Sequence, residues 1–220
     1  MRPPLPGEAA AAAPETVRAP RRRPGWLKPV VFMASLGPAA WTGGRFFTDR
    51  LGANPITTAL NELGLATLIL LLASLACTPL KLVMGWTWPL ALRRMLGLFA
   101  FFYVCLHFGV YVGLEQFFDV SEIAKDIVKR KFITVGFAAF VLLISLAVTS
   151  TNKMVKRLGF ARWKRLHRLV YLAAILGVIH FVWREKVVGV EQITYAVVLA
   201  VLLGVRLWAP RRSPPRASRA

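Results

Sequence analysis

Residues 163–183 read WKRLHRLVYLAAILGVIHFVW. From Leu169 onward the stretch is apolar on every face, and with its basic lead-in it reaches the ~20 residues needed to cross the hydrocarbon of a bilayer. A membrane-spanning helix is the reading. It nevertheless carries His167 and His180, two of the chain's three histidines. Imidazole is costly in hydrocarbon, and a buried one needs a hydrogen bond, a metal or a proton to carry. The fold therefore depends on how many such stretches the chain holds, and the function on what the histidines meet inside it.

Working outward, further apolar runs near spanning length lie at 29–47, 62–80, 96–114, 132–150 and 191–208, with 168–183 the run just quoted. Hydrophobic residues make up 56% of the 220 and the mean hydropathy is +0.55. The expectation is an all-α bundle of six transmembrane helices. Its first run is interrupted by Gly37, Pro38, Gly43, Gly44 and Arg45. The net charge of +19 raises the question of nucleic acid, but its distribution answers it. With the N-terminus inside, alternate connections place 21 of the 29 Lys and Arg on the inner side and eight of the ten acidic residues on the outer. This is the positive-inside pattern, which puts both termini in the cytoplasm and leaves no call for nucleic acid.

Cys77 and Cys105 fall inside predicted spans and no CxxCH occurs, so neither a disulfide framework nor covalent haem attachment is indicated. The N-terminal MRPPLPGEAAAAAPETVRAP lacks the layout of a cleavable signal and reads, like the C-terminal RRSPPRASRA, as a flexible tail. There is no GxGxxG after a strand, no Walker loop and no HExxH. The segment LGLATLIL reads as a helix with a glycine packing point. In the longest outer connection, FFDVSEIAKDIVKRKF, the positions Val120, Ile123, Ile127 and Val128 predict a short interfacial helix capped by Ser121.

His107 lies 13 residues beyond Arg94 in the third span, and His180 lies 12 beyond Arg168 in the fifth, on helices running the same way. Both therefore reach a similar depth. Two neutral imidazoles at one depth on two helices are what a b-type haem requires, since its iron takes one axial ligand from each face. For a single histidine an ordinary interhelical hydrogen bond is the simpler reading; a depth-matched pair and a third nearby favour the cofactor. His167 sits at the inner end, ~20 Å from His180 along a continuous helix and about 140° around it. Its counterparts on the third span are Arg93, Arg94 and Met95, so a second haem with His167 as one ligand, Met95 as its partner, or contact with a flavin or quinone stay open. Arg94, Lys164, Arg165 and Arg168 are the cations available there for haem propionates or a flavin phosphate.

The segments RRMLGLFAFFYVCLHFGVYV, EIAKDIVKRKFITVGFAAFVLLISLAVTS and RLGFARWKRLHRLVYLAAILGVIHFVW, with TPLKL after the second span, resemble the ferric-reductase-like transmembrane superfamily. The likeness is greatest to its bacterial haem-binding subunits of protein-methionine-sulfoxide reductase systems. It covers about Thr78 to Trp183 well, and His107, His167 and His180 match the histidines of that family. Lys131 departs from the usual Lys-Arg-Pro before the fourth span. The resemblance implies a cytochrome b of the bacterial inner membrane, with haem b and FMN as cofactors. It implies electrons from the quinone pool or a cytosolic flavin reductase, delivered to a periplasmic molybdopterin-containing catalytic subunit of the MsrP type. His107, His167 and His180 would be metal ligands, with Arg94 and Arg165 as further cofactor contacts. No catalytic residue is assigned to this chain, since sulfoxide reduction belongs to the partner. The domain runs over residues 29–208, between basic tails at 1–28 and 209–220. Two alternatives remain: a ferric-reductase-like enzyme acting directly on metal or oxygen, and a non-redox scaffold or proton carrier.

Overall fold

The axis of the bundle is α2, Pro55–Met84, whose 30 residues make a rod of ~45 Å. It starts with Pro55 at its first position, where a missing N–H costs nothing, and stops at Gly85 in the left-handed conformation (φ 71°). The computed structural model describes residues 25–208. The expected tails at 1–28 and 209–220 thus lie outside the described residues, apart from Gly25 to Lys28. Around α2 stand α1 (Leu27–Phe47), α3 (Arg93–Val110), α5 (Lys131–Val148), α8 (Leu169–Arg184) and α9 (Val190–Trp208), with the shorter α4 (Val120–Lys129), α6 (Asn152–Leu158) and α7 (Phe160–Leu166) in the connections. No strand occurs among the described residues.

The core follows from helical spacing. Leu68, Leu71, Leu72 and Leu75 of α2 meet Ala100 of α3, Leu143 and Leu146 of α5, Ala173, Ala174 and Val178 of α8 and Leu199 of α9. The three alanines are fully buried, which lets α3 and α8 approach the axis closely. Outward-facing positions are equally apolar: Ile69, Val141, Leu172 and Val201 are all exposed. A helix apolar on both its buried and its exposed sides suits lipid rather than water. The chain is a multi-pass membrane protein. Five segments are long and apolar enough to cross: α2, Arg93–Glu115, α5, Phe160–Arg184 and α9. α1 is not among them, although its 21 residues reach ~31 Å.

Proline shapes two of these helices. Pro38 lies inside α1, and beside it the fully buried Tyr103 of α3 places its hydroxyl in the ladder, donating to the Ser35 carbonyl (2.7 Å) and accepting from the Ala39 N–H (2.9 Å). Pro79 lies inside α2 and leaves the Leu75 carbonyl without its helical partner. Arg206 of α9 supplies the replacement, donating through Nη2 at 2.5 Å.

Two expectations need correction. Residues 163–183 are not one helix, because the ladder tightens to three-residue bonds at Arg168 N–H to the Arg165 carbonyl and Tyr171 N–H to the Arg168 carbonyl. His167 therefore ends α7 and does not belong to α8. The outer helix α4 is capped by Asp119 and not by Ser121: the Asp119 carboxylate accepts from the N–H groups of Ser121 and Glu122. Ile123 and Ile127 are half-buried, while Val120 and Val128 stay exposed.

Candidate functional site

Between α2, α3, α5 and α8 lies a cavity of about 300 Å³, within the range in which cofactor sites fall. Its wall is largely apolar, with Phe108, Phe137 and Phe140 on one side and Leu68 and Leu71 on the other. Phe108 stacks on Phe140 at 4.7 Å between ring centres. Into this space project His107 from α3 and His180 from α8, their ring centres 6.2 Å apart and their planes at 84°.

Each imidazole is held the same way. His107 Nδ1–H donates to the Leu60 carbonyl of α2 at 2.9 Å, and His180 Nδ1–H donates to the Phe132 carbonyl of α5 at 2.8 Å. A carbonyl only accepts, so both rings carry their proton on Nδ1 and leave the Nε2 lone pair free. Fixing a ligating histidine through its other nitrogen is the usual device of metal sites. Four residues after each carbonyl stands a glycine. A Cβ on Gly64 would come within 3.2 Å of His107 Nδ1, and one on Gly136 within 2.6 Å of His180 Nδ1. Only glycine lets each ring lie against the neighbouring backbone and reach the carbonyl one turn back.

The spacing can be tested against what it would hold. A histidine nitrogen binds a metal at roughly 2 Å and the ring centre lies roughly 1 Å behind it, so two imidazoles on opposite sides of one ion put their centres roughly 6 Å apart. The observed 6.2 Å fits. Among the described residues no group of three or more His, Cys, Asp and Glu gathers as a ligand set. The pair thus offers two protein ligands across an apolar space, matching an iron whose other four ligands come from a macrocycle.

Polar groups collect at one end of the cavity. α3 continues through a wider π-type turn, Tyr111–Glu115, which carries both Tyr111 and Glu115 onto the wall. Tyr111 donates to Asp126 at 3.2 Å, and Asp126 pairs with Arg130 at 3.1 Å. Arg184 pairs with Glu185 at 2.6 Å and donates to Asn61. Arg130, Arg184, Asn61, Tyr111 and Glu115 all line the cavity.

The other sequence-expected residues lie elsewhere. His167 is not on this wall; its Nε2 meets Thr149 Oγ1 at 3.2 Å and its ring packs on Trp163 with centres 4.1 Å apart. Trp163 in turn donates to the Thr149 carbonyl. Arg94 is exposed and donates to Asn152 at 2.7 Å. Arg165 is exposed at the end of α7. Met95 faces the other way, packing against the buried cluster of Leu63, Ala66, Phe99 and Tyr103. The structure thus joins His107 with His180 and leaves His167, Arg94 and Arg165 outside their cavity. Sequence reading missed Gly136, Arg130 and Arg184, and took Gly64 for a packing point. The signal available was a glycine four residues after a carbonyl at histidine depth, in LNELG and FITVG.

Known proteins point the same way. Residues 62–178 match the family described as ferric reductase like transmembrane component. The chain is similar to "Protein-methionine-sulfoxide reductase heme-binding subunit MsrQ" of Rhodospirillum rubrum, 58% identical over 80% of this chain and 85% of that protein. The protein of the same name from Herminiimonas arsenicoxydans is 52% identical over 83% and 85%, and that from Deinococcus radiodurans 45% over 87% and 96%. No solved structure gives a significant match. The chain belongs to the ferric reductase-like transmembrane family, within its MsrQ branch.

Proposed function

We propose that this cavity holds a b-type haem with His107 and His180 as axial ligands, and that the chain is the membrane electron-transfer subunit of a protein-methionine-sulfoxide reductase. The observation that carries the reading is the pair of imidazoles 6.2 Å apart, each locked by a backbone carbonyl so that Nε2 is free. When bound, a six-coordinate haem supplies one-electron transfer rather than oxygen binding. The chain's own residues fix the ring orientations, exclude water with the Phe108, Phe137 and Phe140 wall, and offer Arg130 and Arg184 to the propionates. The similar proteins are named as haem-binding subunits of such a reductase, which supports a separate catalytic partner.

The finer elements of the proposal rest on the resemblance. The acceptor is a periplasmic molybdopterin-containing subunit of the MsrP type, and the donor is the quinone pool or a cytosolic flavin reductase. The membrane is the bacterial inner membrane, with six crossings that include α1 and with both termini in the cytoplasm. His167, Arg94 and Arg165, all at the basic end, are the groups for a second site, an inner haem or FMN held through its phosphate. Spectra of the purified chain test the core of the proposal. Wild type is expected to show a low-spin reduced α-band, and His107→Ala and His180→Ala each to lose it. Retention of that band in both variants, or its absence from well-folded wild type, would overturn the assignment.

A further inference from the structure

α9 carries Arg206 two residues before its last residue, Trp208. An arginine so near a helix end ordinarily extends to water. Arg206 turns inward instead. Its Nη2 donates to the Leu75 carbonyl and its Nη1 to the Tyr171 hydroxyl, each at 2.5 Å, with the guanidinium 5.1 Å from the Tyr171 ring centre. The Leu75 bond answers the vacancy made by Pro79, but the arrangement is incomplete. Arg206 Nε is buried with no partner, and so is Thr78 Oγ1, one turn along α2 from Leu75. Among the described residues these are the two buried side-chain polar atoms in that condition, one on Arg206 and the other one turn from the carbonyl that Arg206 reaches.

Charge is unbalanced at the same place. Arg93 comes to this turn of α2, its carbonyl accepting from Ser74 Oγ at 2.9 Å, and it is a like-charged neighbour of Arg206. The ion pairs among the described residues engage Glu62, Glu122, Asp126 and Glu185. Every Asp and Glu among them sits at the opposite end of the bundle. A half-buried guanidinium without an acidic partner among membrane helices is costly, and unpaired buried donors ask for a ligand. What the seam lacks is an anion with several acceptor oxygens.

We propose that the seam of α2, α8 and α9 at the basic end binds the phosphate of an anionic phospholipid. Arg206 Nε and the Thr78 hydroxyl donate to it, and Arg93 supplies the second positive charge. Depth selects the bilayer as the source: Arg206 lies ~3 Å along the axis from Trp208, whose exposed indole suits the headgroup boundary. Basic pockets between transmembrane helices bind such headgroups. The lipid joins α9 to the Pro79 turn of α2.

The test uses the full chain in nanodiscs of phosphatidylcholine with and without phosphatidylglycerol, read by native mass spectrometry and by melting temperature. Wild type is expected to retain phosphatidylglycerol in preference to phosphatidylcholine and to melt higher in its presence. Thr78→Val, which keeps shape and fold, is expected to lose retention roughly tenfold. Arg206→Gln loses it altogether and also destabilises by baring the Leu75 carbonyl. Lys81→Gln, an exposed cation on α2 outside the seam, binds as wild type. Equal retention in wild type, Thr78→Val and Arg206→Gln would overturn the site. So would a melting shift of the same size from millimolar inorganic phosphate in neutral detergent, which would identify a soluble anion.

Discussion

Replacing Gly136 by alanine places a methyl group where His180 now lies. The new Cβ would stand 2.6 Å from Nδ1, 2.9 Å from Cε1 and 3.0 Å from Cγ, whereas such atoms pack at roughly 3.5 Å or more. The ring must retreat by roughly 1 Å, and its 2.8 Å bond to the Phe132 carbonyl does not survive that movement. Leaving a buried donor unpaired costs ~1–3 kcal/mol, and an off-rotamer side chain adds ~0.5–1.5. Together they weaken haem binding by ~2–4 kcal/mol, roughly 30-fold to 10³-fold. Alanine is the better helix former by ~1 kcal/mol, which offsets part of the same penalty in the haem-free protein. Haem loss to an apo-globin scavenger and melting of the haem-free protein separate the two effects. A gradient is expected across related positions: Gly64→Ala, whose Cβ stands 3.2 Å from His107 Nδ1, loses less, and Gly109→Ala, with nothing within 4 Å, loses none. If Gly136→Ala keeps haem as tightly as Gly109→Ala with an unaltered spectrum, the proposed seating of His180 against α5 is wrong.

Tyr103→Phe removes the hydroxyl bridging Ser35 and Ala39 and is expected to cost ~1–3 kcal/mol, seen as a lower unfolding midpoint with the haem spectrum unchanged; a shifted spectrum would contradict a purely structural role. Asp119→Ala removes the cap of α4 at a cost of ~0.5–2 kcal/mol, measured as faster amide exchange over residues 120–129. Arg184→Gln takes one positive charge from the cavity wall and is expected to lower the haem midpoint potential, because the oxidised form gains when a cation leaves. An unchanged potential in redox titration would remove Arg184 from the propionate assignment.

The all-helical, multi-pass architecture and the placement of five spans were legible because the bilayer imposes length and hydropathy on each span. The pairing of His107 with His180 was legible because equal offsets from the basic end mean equal depth on helices running the same way. The break at His167 was not, since KRLHRL carries no proline or glycine, and the contacts of the His167 ring with Thr149 and Trp163 are tertiary. The cavity's arginines were missed for a related reason. Arg94 and Arg165 look suited to propionates when the site's height is unknown, whereas Arg130 and Arg184 gain their place on the cavity wall from the α4–α5 junction and the end of α8. Gly64 and Gly136 needed a register between helices that one sequence does not contain.

The histidines stand on α3 and α8, but what orients them belongs to α2 and α5. No single helix therefore contains a finished half of the site. A nascent polypeptide that has inserted only through residue 148 presents one aimed imidazole and a bracket with nothing in it. On the proposed assignment, both imidazoles are aimed only once α8 has joined α2, α3 and α5.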